Sequence, residues 1–226
     1  MAFITPYKVI RSKRKTIALQ VNSEAALIVR VPMRFSLNYV EQIIQQKHSW
    51  ITKKQDDITN KINKFTAKTF EDSEKFLYLG KSYNLTFTKD QKTDLIFDNE
   101  FSIATNEKIF TRIILVKWYK KTALDHISKR IIYFAAAMGL AYKSVRLSDA
   151  KTLWGTCSQD NRLSFSWRLI MAPSDVIDYV VVHELSHIKH KNHSKQFWET
   201  VKNTLPLYQI HKKWLKENGH LLHWKK

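Results

Sequence analysis

The segment His183-Glu184-Leu185-Ser186-His187 has residue types and a spacing suited to hydrolytic chemistry. At about 100° per residue in an α-helix, positions four apart project about 40° from one another and one turn apart, so both imidazoles can reach one ion. Glu184 lies about 60° from His187 on the same side, where its carboxylate can reach a metal-activated water without ligating the metal. A zinc-dependent hydrolase needs this arrangement. The metal lowers the pKa of a water to about 7; the Glu takes the proton as water attacks and delivers it to the leaving amine. With nine His and nine Glu in 226 residues, the pattern arises by chance about 0.014 times. Val176, Val180, His183 and His187 form one stripe, which also allows the plainer reading of two core histidines on a buried helix.

A catalytic zinc site takes three protein ligands and leaves a fourth position to water. His193, six residues after His187, gives the H-E-x-x-H-x5-H spacing of metzincin-type sites and is the expected third ligand. Those sites place Gly where this chain has His190, so the turn is expected at Asn192 in a left-handed conformation. His190 also faces the stripe but lies about 10.5 Å along the axis from His183 at 1.5 Å per residue. Glu199, His190 and His211 stay open as alternative third ligands.

Around this segment the chain divides in two. Residues 7–21 and 25–31 are β-branched and alternating, which predicts an antiparallel hairpin closed by Pro32. A helix is expected from Ser36, its N-cap, through Ile51, and short alternating runs follow over 76–104. We read 1–107 as a β-rich N-terminal module with one long helix. Residues 108–226 then form the part that carries the histidine motif: a long helix over 108–138 ended by Gly139, strands at 144–147, 152–158 and 162–167, and a helix opening at Ser174 or Asp175 and running to 191. Two further helices, 194–204 and 207–218, are separated by Pro206.

Composition bounds the function classes. Apolar residues at 44% and charged residues at 26% are an ordinary globular mixture. A single cysteine, Cys157, excludes an intramolecular disulfide and suits a reducing compartment. The first residues contain no signal-peptide core, and the most apolar stretch, 131–142, is too short for a bilayer needing about 20 residues, so a cytoplasmic protein without a membrane span is expected. The net charge of +18 is the anomaly. It divides into +6 over 1–50, 0 over 51–110, +6 over 111–150 and +6 over 151–226, so no detachable tail carries it. Its densest run, Arg11-Ser12-Lys13-Arg14-Lys15, reads as a solvated face or a phosphate-contacting patch.

Longer ordered motifs carry a family resemblance: Trp154-Gly155-Thr156-Cys157-Ser158, LSFSWRLIMAP over 163–173, VIDYVVVHELSH over 176–187, Asn192-His193-Ser194, Phe197-Trp198 and WLKENG over 214–219. Together with residues 11–32 and Tyr78-Leu79-Gly80-Lys81, they resemble the YgjP-like family of zinc metallopeptidases, relatives of the SprT and WLM groups. Thr156 and Ser186 stand where Ser and Ala are usual. The resemblance implies a zincin-like catalytic half with one zinc ion, His183, His187 and His193 as ligands, and Glu184 as base. The expected fold is α+β, a β-rich part followed by a zincin-like part with an active-site helix and a small antiparallel sheet.

Other residues carry weaker expectations. The strand bearing Trp154 can pair its edge with an extended substrate backbone. Tyr208, His211 and Arg168 are candidate donors to a transition-state oxyanion. Phe197, Trp198 and Trp214 are expected to pack behind the site. The rival reading is a nucleic-acid-associated protein with a structural metal, supported by the +18 charge and interspersed aromatics; the two combine in a protease recruited to DNA or RNA. Manganese or cobalt stands beside zinc as an alternative ion.

Overall fold

The computed structural model describes residues 7–22, 24–63, 68–88 and 91–224. Ser23 in the expected hairpin turn, the first six residues and residues 89–90 lie outside the described residues. The chain forms two compact units, residues 1–66 and 67–226.

In the first unit, alternation in Leu27-Ile28-Val29-Arg30-Val31 puts Leu27, Val29 and Val31 on one buried face. That strand, β3 (Leu27–Pro32), pairs antiparallel with β2 (Ala18–Val21) and parallel with β1 (Tyr7–Ser12). The expected hairpin therefore exists only between β2 and β3. The charged run after Ser12 interrupts the first strand, and Arg11 donates to the carbonyls of Met33 and Phe35 at 2.9 and 2.8 Å, which holds β1 on the far side of β3. The single long helix of the sequence reading is two, α1 (Leu37–Gln46) and α2 (His48–Asn63). Lys47 leaves the helical region between them at φ −103°, ψ 12°. Ser36 has the extended backbone of an N-cap but makes no side-chain capping bond. Val40, Ile44 and Ile51 close the core over the sheet.

The second unit begins with β4 (Lys75–Tyr78), β5 (Lys81–Phe87), β6 (Leu95–Phe97) and β7 (Phe101–Ile103), in the order β4-β5-β7-β6. Helix α3 (Lys108–Met138) follows, and Gly139 ends it at φ +62°, in the left-handed conformation that glycine adopts without penalty. Leu115, Tyr119, Ala123, Ile127 and Ile131 recur every four residues as its buried stripe. Phe76 and Phe101 of the sheet share one core with this stripe and with Val181, Leu185 and Phe197. The Tyr119 hydroxyl donates to Leu77 O at 2.6 Å. Sheet β4–β7, grouped with residues 1–107 by the sequence reading, thus belongs to the same compact unit as the HELSH helix, and the units meet at 66/67.

The third sheet consists of β8 (Ser144–Ser148), β9 (Gly155–Cys157) and β10 (Arg162–Ser166), in the order β8-β10-β9. The expected antiparallel sheet is mixed: the tight turn at 158–161 makes β9 antiparallel to β10, whereas β8 lies parallel to β10 on its other side. A short 3₁₀ helix, Trp167–Met171, leads into α4 (Ser174–Lys189), followed by α5 (Lys195–Thr204), α6 (Tyr208–Asn218) and a last 3₁₀ turn, Gly219–Leu222. Pro173, rather than Ser174 or Asp175, occupies the N-cap position of α4. Gly219, at φ −56°, carries the chain from α6 straight into that turn. The α+β class is as expected.

Candidate metal centre

Helix α4 is buried around most of its girth, with Ile177, Val181, Val182 and Leu185 fully enclosed. Such a helix holds its side chains by packing on all sides. Its start is fixed by main-chain bonds: Leu79 and Gly80, in the β4–β5 turn, donate to Ile170 O and Met171 O at 2.9 and 3.2 Å. Gly80 sits at φ +78°, and a Cβ there would lie 2.7 Å from Pro173 Cγ, so only glycine fits this turn against the residue that opens α4. Further along, Arg130 of α3 grips Asp178 with two bonds of 2.6 and 2.7 Å.

One turn beyond Asp178, His183 and His187 project together. The chain leaves α4 after Lys189, turns through His190 in extended conformation, and brings His193 back over them. Asn192 is not left-handed, contrary to expectation: its φ is not positive, and the reversal is spread over the residues between His190 and Ser194. Ser194 then caps α5 by accepting from Phe197 N at 3.3 Å, which anchors the residue after His193. One nitrogen from each imidazole lies within 4.8 Å of the others. His183 Nε2 and His193 Nε2 are 3.1 Å apart. Phe197, fully buried, forms the floor, with ring centroids 4.9, 4.6 and 4.8 Å from His183, His187 and His193.

These residues fit a metal ion. A tetrahedral zinc with Zn–N near 2.0–2.1 Å separates its ligand nitrogens by about 3.4 Å, close to the His183–His193 spacing. A carbonyl can only accept, so the 3.0 Å contact of His187 Nδ1 with His190 O puts the proton on Nδ1 and leaves Nε2 free to ligate. Three imidazoles without a carboxylate suit a borderline ion rather than calcium or magnesium. Burial, reinforced by His187 and His193, pushes the His183 pKa down to about 3, so this ring stays neutral and competent to ligate at ordinary pH.

Glu184 is 5% exposed, and burial alone raises its pKa to about 8. Strand β9 passes against it: a Cβ at Gly155 would lie 2.6 Å from Glu184 Cγ and 2.7 Å from its Oε1. The glycine of Trp154-Gly155-Thr156 is therefore the residue that lets the strand and the carboxylate approach. Sequence reasoning placed this strand near the site without finding that role; a glycine inside a strand was the available signal.

Among the candidate oxyanion donors, Tyr208 is the one that joins the aromatic rings lining the centre. It stacks on Trp198 (5.5 Å, 20°) and on Tyr179 (6.4 Å, 23°), whose ring lies 5.8 Å from His183. Desolvation, with Glu184 and Tyr208 nearby, raises the Tyr179 pKa to about 12. Arg168 is occupied elsewhere, stacked on Trp167 at 4.4 Å and bonded to Asp149 O at 3.2 Å. Trp154 turns its indole to His223 at 5.2 Å and to Gly219. His211 is half-exposed on α6, and Glu199 pairs with Lys195 at 3.8 Å; neither joins the cluster of His183, His187 and His193, which is the group found among the described residues. His190 contributes its carbonyl rather than its ring. Tyr179, one turn before His183, was legible from the helical period but not singled out.

Comparison with known proteins defines the class as a metallopeptidase. The YgjP-like metallopeptidase domain matches residues 15–218, and the chain belongs to the YgjP-like family. Among solved structures, the crystal structure of the metallopeptidase zymogen of Pyrococcus abyssi abylysin is similar at 17% identity and a TM-score of 0.38, over 44% of this chain and 99% of that chain. No curated protein matches.

Proposed function

We propose that the protein is a zinc-dependent peptidase that hydrolyses peptide bonds in polypeptide substrates, with His183, His187 and His193 as ligands and Glu184 as general base. The observation that carries this reading is the convergence of three imidazole nitrogens within 4.8 Å beside a buried carboxylate. A bound zinc supplies a Lewis acid and an acidified water. Glu184 accepts the proton of the attacking water at its carboxylate and passes it to the leaving amine. Burial makes this carboxylate a stronger base than an exposed Glu, and a nearby dication would draw its pKa back down. Strand β9 is an edge of its sheet, so its free side can pair with an extended substrate backbone. Tyr208 is the oxyanion donor we favour among Tyr208, His211 and Arg168, because it belongs to the aromatic wall beside His183. One cysteine suits the reducing cytoplasm. With zinc-loaded protein and casein as substrate, Glu184→Gln should keep its zinc and lose about 10²–10⁴-fold in turnover. Undiminished cleavage would contradict the mechanism.

One observation favours a second reading, recruitment of this peptidase to nucleic acid. Because β1 and β3 are parallel, Ser12 and Pro32 are register partners, and the segments leaving them carry Lys13, Arg14, Lys15 and Arg34 to the same end of the first unit's sheet. Met33 and Tyr39 are exposed at 58% and 60%. Single-stranded DNA binding should weaken with salt, and Lys13→Gln with Lys15→Gln should reduce the log–log slope by about 1.4. A slope unchanged by both substitutions removes this reading.

A further inference from the structure

Helix α6 turns Tyr208 and Lys212, one helical turn apart, toward Trp198. The Lys212 ammonium sits 4.0 Å from the centroid of the Trp198 ring. Trp198 in turn stacks on His193 at 5.6 Å and 22°, and lies 5.8 Å from His183. The same indole therefore contacts both the cation and the imidazole cluster, and the cation–π contact holds the ammonium there. Lys212 is solvent-exposed and has no ion-pair partner among the described residues, whereas Lys195, on the neighbouring helix, has Glu199.

An unpaired ammonium held beside a hydrolytic centre recognises an anion. Contacts of 4.0 Å from the ammonium to the indole centroid and 5.6 Å from the indole to His193 place the charge within reach of groups up to about three residues from the bond being cut, since an extended chain advances about 3.3 Å per residue. We propose that Lys212 forms a carboxylate subsite, taking an Asp or Glu side chain, or the terminal α-carboxylate, of a peptide substrate. This inference rests on the peptidase reading and extends it to substrate preference.

The test uses the full-length, zinc-loaded protein and casein-derived peptides in matched sets. Each set has Glu or Gln at the positions flanking the cleaved bond, and a free or amidated C-terminus. The Glu peptide, the free-acid peptide or both should show a KM about threefold to tenfold lower than the neutral counterpart, and which arm responds identifies the source of the carboxylate. Lys212→Met should erase that preference with kcat on the neutral peptide and zinc content unchanged, and Lys212→Arg should restore it. A preference that survives Lys212→Met, or an equal loss of kcat on every peptide, overturns the subsite. Fluorescence anisotropy of labelled copies of the same peptides on zinc-loaded Glu184→Gln protein reads binding without turnover. Lys212-dependent binding of the carboxylate peptide without cleavage by the native protein would retain the subsite and sink the peptidase reading. Cleavage without any carboxylate preference would do the reverse.

Discussion

Among the described residues, six buried ones, Leu27, Val29, Val31, Val40, Ile44 and Ile51, form the core of the first unit, while the second builds a core that runs from Phe70 to Leu222. Charge is distributed the other way: the first unit carries 12 Lys+Arg against 4 Asp+Glu, the second 26 against 16, so +8 falls on 66 residues and +10 on 160. A small unit has little interior and much surface, and here that surface is cationic. Helix α4 has the opposite surroundings, an interior deep enough to enclose it and hold Glu184 out of water. The difference is one of packing and charge: the second unit encloses a helix, and the first displays a dense positive surface.

The largest effect that tests this contrast concerns the buried carboxylate in metal-free protein. The folded pKa of Glu184 is about 8, above an unfolded value near 4.5. The protonated form is therefore the one the fold favours, and its advantage is complete below about pH 4.5 and lost as pH rises through 8. The loss is on the order of 4 kcal/mol. Glu184→Gln should match the native metal-free protein in melting temperature near pH 4.5 and exceed it clearly at pH 8.5. Equal melting temperatures at both pH values would mean that the carboxylate is effectively solvated. Burial also holds His223 at about pKa 4, and a depressed histidine contributes stability that fades as pH falls from about 6.5 toward 4. That loss enters both proteins alike and cancels from the comparison.

Next in size is Gly155→Ala. A methyl 2.6 Å from Glu184 Cγ must displace either β9 or the Glu184 carboxylate, and on the proposed mechanism we expect kcat to fall about 10- to 100-fold with zinc content unchanged. Unaltered kcat would show that the close approach is incidental. The smallest effects compare two ion pairs of helix α3. Arg130→Met strands Asp178, whose side chain is 12% exposed, and should cost about 1–3 kcal/mol in urea unfolding. Lys129→Met opens an exposed pair with Asp125 and should change stability by less than about 0.5 kcal/mol. Similar costs for the two would undo the claim that enclosure around α4 is what matters in this unit.

Features governed by local chemistry were legible in the sequence. Helix α3 runs from Lys108 to Met138 with Gly139 at its end, because a four-residue apolar stripe and a glycine stop signal act over short distances. The histidine spacing likewise anticipated a cluster of His183, His187 and His193, since two members share one helix and the third follows a short turn. What escaped was pairing between distant segments. The parallel partnership of β1 with β3, the parallel β8, and the inclusion of β4–β7 in the second core depend on which strands meet, and alternation marks a strand without naming its neighbour. Lys47 breaks the first helix without Gly or Pro, so no residue type announced the interruption. Gly155 and Lys212 matter through what stands opposite them, Glu184 and Trp198, and neither partner lies nearby in sequence.

The origin of the site's parts along the chain has a kinetic consequence. All three imidazoles and their Phe197 floor come from one short stretch, residues 183–197, whereas the glycine against Glu184 comes from a strand laid down well before it. Closing a short loop is entropically cheap and fast; joining remote segments is slower. Refolding from denaturant in the presence of zinc should therefore proceed in two stages, with ion capture by a partly formed helical segment preceding the docking of β9 that gives Glu184 its basicity. The protein would hold its metal before it could use it.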